Sequence, residues 1–381
     1  MKGLMRTSMT AMFLCLGATV VAAQEGHRVF VALSEHARGR RCLHTQSLLP
    51  DGRVLLAGGF VSAEGMLPPG NARLEIFDPR TGTFADAGDS SILRAAHTAT
   101  TLADDRVVLI GGTALFAVEC FDPHTGQLSE MGKILTPRAE HEATLLPDGK
   151  ILVTGGITGH FLYRNGQFHR RLNALAVAEI FDPVSGTSVR VSPMLVPRRG
   201  HTQTLLGDGT VLITGGSWNR LCERFDPRTG KFTPAGQLRT AREDHRASVL
   251  ADGKVLLSGG SDERGKSLAS AEILDPERKT SDLVLGPMSQ GREDHTATTL
   301  ADGTILITGG EDNQAGPDRT DVVLGSVELF DPRTQRFTRL PDLTVPRDDH
   351  RATLLGDGRV FIFGGESASD VVLDTGELYV P

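Results

Sequence analysis

The chain carries one pattern of hydrophobic and polar positions seven times over. A short alternating run such as "HTQTLL" meets an Asp-Gly turn signal and passes into an apolar, β-branched run such as "TVLITGG". A polar stretch of variable length follows. A second apolar run ends on Asp-Pro, as in "AEIFDP", turns through "DPRTG", and continues into a run with an aromatic near its start, as in "GKFTPA". Alternation and β-branching mark strands. Asp-Gly suits a two-residue hairpin, because such turns need left-handed backbone. In "DPRTG" proline fixes φ and glycine supplies the left-handed position. Each unit thus predicts four antiparallel strands. One small sheet cannot bury both faces alone, so the units must stack on one another. The prediction is an all-β, seven-bladed propeller with four antiparallel strands per blade.

The register is strict. The first glycine of a Gly-Gly pair falls at positions 58, 111, 155, 215, 259, 309 and 364. A His stands fourteen residues before each, and an Arg three residues before each His. A Glu follows the second glycine at a distance that varies from 7 to 23 residues. Three residues beyond each of the first six Glu lies Asp-Pro. Seven histidines at one repeat position read as structural hydrogen-bonding residues rather than seven ligands.

These residues resemble the kelch-repeat family, whose fold is a propeller of four-stranded blades. The likeness runs over about residues 27–381 and rests on the Gly-Gly pairs and the sevenfold register. Where that family often carries Tyr and Trp, this chain carries Phe, as at Phe77, Phe84, Phe225 and Phe232. A buried ring serves the packing either way. The resemblance implies that the first strand of each blade is innermost and lines a central channel. The seventh unit stops after its third strand, at "GELYVP". The N-terminal "HRVFVALSEHARGRRCLH" aligns with "TQRFTRLPDLTVPRDDH", Phe30 matching Phe337. The N-terminal strand is therefore expected to complete the last blade beside residues 371–380, which removes an open edge.

One face of such a ring is uniform, carrying the Asp-Gly and "DPxTG" turns. The other carries the variable stretch after Gly-Gly, and variable loops on a rigid scaffold are where recognition usually sits. The two residues between the repeat Arg and His belong to this face. They are Cys42-Leu43, Ala95-Ala96 and Ala139-Glu140 in the first three units, and Arg199-Gly200 in the fourth. They become doubly acidic in the last three: Glu243-Asp244, Glu293-Asp294 and Asp348-Asp349. Asp262-Glu263, Glu311-Asp312 and Glu366 repeat the bias in the loops after Gly-Gly. Two lengthened loops add aromatic and amide groups, including His160, Phe161 and Tyr163 in unit three. Unit four adds Trp218, the only tryptophan, and Asn219. The candidate binding residues are Arg198, Arg199, Trp218 and Asn219 of unit four and Glu243, Asp244 and Asp262 of unit five. Units six and seven add Glu293, Asp294, Glu311, Asp312, Asp348 and Asp349. Two readings of the acids stay open: an ion-pair belt with the repeat arginines, or an acidic mouth that binds a cation, an amino sugar or a basic peptide.

Composition narrows the setting. The net charge of −7, with no basic run, argues against nucleic acid as a partner. Residues 1–23 have a basic start, a short apolar run and Val21-Ala22-Ala23, the form of a cleaved export signal. No other segment is long and apolar enough to span a membrane, so residues 24–381 are expected to form one propeller, exported as a periplasmic or secreted monomer. Cys42, Cys120 and Cys222 are far apart and form no disulfide framework or zinc spacing. No calcium-loop motif is present, no cofactor or metal is expected, and no catalytic residue stands out. The family resemblance favours a non-enzymatic recognition scaffold that binds a protein or glycan on the loop face. The alternative is a carbohydrate-active propeller enzyme of the mutarotase or epimerase type, which needs only acid–base groups around a bound sugar. The copper-radical oxidases among related propellers need two tyrosine ligands; this chain has only Tyr163 and Tyr379, and Tyr379 falls in the expected closing strand, which argues against such a site.

Overall fold

The computed structural model describes residues 28–61, 71–112, 116–164, 167–313, 321–368 and 371–381, without the side chains of 159–172. The expected export signal at 1–23 and the aromatic side chains of the unit-three loop lie outside the described residues. Every element among the described residues is a strand. Seven four-stranded antiparallel sheets form, six of them in meander order from the inside outward and the seventh with Val29–Ala32 as its outermost strand. The innermost strands of consecutive blades approach one another all the way round, and Thr45–Leu48 of blade one meets Arg351–Leu354 of blade seven. The ring is a seven-bladed propeller.

It closes by the exchange foreseen in the sequence. Val29–Ala32 pairs antiparallel with Gly376–Val380, Phe30 opposite Tyr379, as Phe337 stands opposite Phe330 in blade six. The partner strand is shorter than expected: Val371–Val372 pairs instead with Glu366–Ser367 in a small hairpin on the loop face. Phe30 and Tyr379 pack at 5.3 Å between ring centres. The first and last blades are thus held by sheet hydrogen bonds and by a shared apolar cluster, in which Phe77 stacks on Phe361 at 4.0 Å. Each such fully buried side chain is worth about 1.5–3 kcal/mol.

The Asp-Gly turns differ from expectation by one residue. Leu49 N–H donates to the Arg53 carbonyl and Gly52 N–H to Leu49, so the loop holds Pro50, Asp51 and Gly52. Only the glycine is left-handed, at φ 86°. Proline is at home in the first turn position, and the Asp51 carboxylate accepts the Arg53 N–H at 3.0 Å. In blade two Asp105 takes the glycine position, at φ 71°.

The repeat residues form one device between neighbouring blades. Each repeat Arg is fully buried and donates to the carbonyl of its own blade's first Gly and to the strand-three Glu; Arg242, for example, binds Glu272 at 2.9 Å. The second Gly of one blade donates its N–H to the Arg carbonyl of the next, as Gly216 does to Arg242 at 2.8 Å. A Cβ on Gly215 would overlap the Arg242 carbonyl and the His245 ring of the next blade, and one on Gly216 the Arg199 carbonyl and His201 of its own, which explains why two glycines recur there. His245 Nε2 in turn meets the Thr202 and Thr214 hydroxyls of blade four at 3.1 Å. Burial, reinforced by the nearby arginines, pushes the repeat histidines down, His97 and His201 to about 3. They are neutral scaffold groups at physiological pH.

Candidate functional site

The residue before each repeat His is left-handed in all seven blades, with φ between 46° and 55°. Only Gly200 among them is a glycine. Left-handed backbone is costly for other residues and persists where the surroundings over-determine it. A series of backbone bonds between neighbouring blades does so here. Ala96 N–H donates to Leu43, Glu140 to Ala96, Asp244 to Gly200, Asp294 to Asp244, Asp349 to Asp294 and Leu43 to Asp349, at 2.8–3.4 Å. These six bonds run around the channel, where one such residue per blade stands at the mouth. Three consecutive members are Asp244, Asp294 and Asp349, so three carboxyls share one arc.

The first residue of each acidic pair faces the adjoining loop. Glu243 bridges to Ser261, Glu293 to Glu311 and Asp348 to Glu366 across short antiparallel contacts. The residue after Gly-Gly therefore joins the mouth, which brings Glu311 and Glu366 beside Glu293 and Asp348. Asn313 links two of them, donating to Glu293 at 2.7 Å and Glu311 at 3.0 Å. The Cys42 thiol donates to Glu366 at 2.9 Å.

Just inside the mouth lie charges that the two-residue comparison missed. The residue after the repeat His is Thr at 45, 98, 202 and 296, where its hydroxyl meets the next blade's His. It is Glu142, Arg246 and Arg351 in blades three, five and seven. There the next His turns to Thr154, Ser258 or Gln46 instead. The repeat alignment held this signal: a hydroxyl position replaced by charge in three blades.

The repeat arginines do not neutralise the arc. All seven bind the strand-three glutamates within their own blades, which excludes the ion-pair belt. Arg198 belongs to that series, held by Glu223, Gly215 and Leu221 and inaccessible from the mouth. Arg199 is different: it reaches Glu243 at 3.2 Å and Glu140 at 3.7 Å. Arg246 stands 4.0 Å from Asp294. Trp218 is half exposed in the blade-four loop, while Asn219 is occupied capping the Leu221 N–H. The Asp262 carboxylate accepts N–H bonds from Arg264 and Lys266 within its own turn, so it shapes a loop rather than the arc. Asp312 pairs through its backbone with Val322.

The arc holds its protons tightly. Burial first, then the neighbouring Asp349, Glu311 and Glu366 charges, push Asp348 up to about 8. Burial raises Asp349 to about 7 against the pull of Arg351, and raises Glu311 to about 7 despite the Asn313 hydrogen bond. Glu243 stands at about 7, burial outweighing Arg199. Glu142 also reaches about 7 beside Arg246 and Arg351. Asp244 and Asp294 are raised as well, by burial and by like charges around them. Two shallow clefts, about 260 and 460 Å³, lie elsewhere, among turns and strands of blades four to six near Lys254 and Arg278. They touch none of these carboxyls.

No family model matches the chain, and no curated protein is similar to it. Among solved structures it is similar to a fungal alcohol oxidase of the AA5 family, described in complex with copper. The match has 20% identity and a TM-score of 0.70, over 90% of this chain and 74% of that one. It is also similar to YjhT, at 16% identity and a TM-score of 0.60, over 75% of this chain and 94% of that one. At these identities the likeness establishes the propeller fold. It also overturns the expectation of a non-enzymatic recognition scaffold. That expectation leaned on fold resemblance, and a propeller matching 90% of this chain is an oxidase. The copper site itself does not fit: among the described residues no group of three or more His, Cys, Asp and Glu is arranged to hold a metal ion. Tyr379 is buried in the closing sheet, and the repeat histidines are committed between blades. No helix among the described residues is long and apolar enough to cross a membrane.

Proposed function

We propose that this chain is a carbohydrate-active enzyme of the mutarotase or epimerase type, with the channel mouth as its active site. The carrying observation is the convergence of carboxyls held near neutral pH around one opening, beside two arginines that no repeat glutamate claims. Asp348, Asp349, Glu311, Glu243 and Glu142 lie between about 7 and about 8. A group whose pKa matches the working pH can both give and take a proton, which is the requirement for general acid–base catalysis. The chemistry of a hemiacetal follows directly. One carboxylate takes the anomeric hydroxyl proton while a carboxylic acid from another blade of the arc protonates the ring oxygen. The ring C–O bond breaks and the anomeric carbonyl forms. Rotation and re-closure return both protons and give the other anomer. Arg246 and Arg351 supply fixed donors for sugar hydroxyls, and Trp218 offers an exposed ring for stacking.

The repeat is read as kelch-type on its Gly-Gly register, and residues 1–23 as an export signal on their composition. The test of function is anomer exchange by NMR over a panel of neutral, acidic and amino reducing sugars. One sugar should exchange faster with the protein, and Asp348→Asn should slow that exchange about 100-fold at pH 7. Absence of exchange with every sugar would overturn the reading.

A further inference from the structure

The carboxyl arc is not symmetric. At its blade-five end, Arg199 reaches from blade four to Glu243 at 3.2 Å. The adjoining Gly200 makes room: a Cβ there would overlap the Asp244 carboxylate, so only glycine lets Asp244 lie toward blade four. The Arg199-Gly200 pair thus receives the Glu243-Asp244 pair residue for residue. At the blade-seven end Arg351 acts on Asp349, but no arginine is among the groups that shift Asp348. Asp348 faces Asp349, Glu311, Glu366 and the Cys42 thiol, and its Oδ1 is buried without a hydrogen-bond partner. Around Glu243 the charged neighbours are Arg199, Asp244 and Glu293, with Glu140 on the far side of Arg199.

We propose that Arg199 polarises the mouth, so that Glu243 is the proton acceptor and Asp348 the proton donor. The assignment rests on the acid–base reading above. An arginine in contact with a carboxylate favours its ionised form, and a carboxyl surrounded by like charges keeps its proton. Arg199 remains 41% exposed, so it orients and biases Glu243 without sealing it from substrate. It is a positioning residue, acting through Glu243.

The test is carbon-13 carboxyl NMR titration of Glu243 and Asp348 in the full chain without substrate, for wild type, Arg199→Gln and Arg199→Lys. Arg199→Gln should move the Glu243 titration up by about one pH unit. Arg199→Lys should restore most of it, and Asp348 should stay in place. In the pH–rate profile for sugar exchange, Arg199→Gln should move the acidic limb up by the same amount, and Asp348→Asn should abolish the alkaline limb. An unmoved Glu243 titration overturns the polarisation even if exchange is found. A shifted titration with no exchange for any sugar removes the donor and acceptor roles and the proposed function with them.

Discussion

Two sets of acidic residues in this protein behave in opposite ways. The strand-three glutamates are fully buried, yet they serve as scaffold. Burial alone would push Glu272 up, but Arg242, the Arg239 N–H and the Ser281 hydroxyl hold it below the usual carboxylate range. Glu119 is held down in the same manner by Ser90, Ser91 and Arg94. The mouth acids keep some contact with water, yet Asp348 and Glu311 are pushed up. The difference lies in the partners. Each clamp glutamate has its own buried arginine and N–H or hydroxyl donors, whereas the mouth acids face mainly one another. Burial with a partner fixes a charge and makes structure; burial among like charges frees a proton and makes chemistry.

Breaking a clamp should give the largest effect. Arg242→Leu leaves Glu272 buried and unpaired, and should cost about 3–5 kcal/mol in chemical denaturation. Asp348→Asn at the mouth should cost nothing at pH 8 or even stabilise. Equal losses from the two would erase the distinction. Deleting residues 24–33 removes the closing strand and exposes the blade-seven sheet edge. Loss of Phe30 and Leu33 packing alone should cost about 3 kcal/mol or more, read as a fall in Tm. An unchanged Tm would refute the closure.

A smaller effect separates the two acid sets by pH. The mouth carboxyls have folded pKa values raised above the unfolded value near 4, so the folded state holds more protons and their stabilising contribution is lost as pH rises toward about 8. The clamp acids Glu119 and Glu272 are lowered, so theirs is lost as pH falls below about 4. Tm should therefore fall from pH 5 to pH 8, and the double variant Asp348→Asn, Asp349→Asn should flatten that fall without changing the acid side. The smallest effect concerns a turn remote from both sets. Asp105→Gly relieves a left-handed non-glycine at φ 71° and should stabilise by less than about 1 kcal/mol in thermal unfolding.

Much of the fold was legible in the sequence because the constraints repeat. Glycine pairs recur because the first meets the neighbouring blade's Arg carbonyl and His ring, and the second its own blade's backbone and His, too closely for a Cβ. The one-residue error in the Asp-Gly turn arose because only the glycine, not the aspartate, is left-handed there. The candidate acids were visible as departures from the repeat in the pair before the His. Glu142, Arg246 and Arg351 were visible in the same way one position later, as departures from Thr, but a single charged residue in a strand carries no sign of which cavity it enters.

The sequence by itself determined the repeat, its register, the closure by the N-terminal strand and the identity of the variable positions. These follow from local turn chemistry and strand periodicity, which act within one blade or between equivalent positions. Only the tertiary structure decided which acids are neutralised. Arg242 reaches Glu272 thirty residues on, within its own blade. Arg199 reaches Glu243 forty-four residues on, in the next. Three left-handed aspartates meet only because consecutive blades pack side by side and hydrogen-bond one blade's backbone to the next. Charge pairing depends on distance in space, and in a propeller that distance is set by the circle, not by the spacing along the chain.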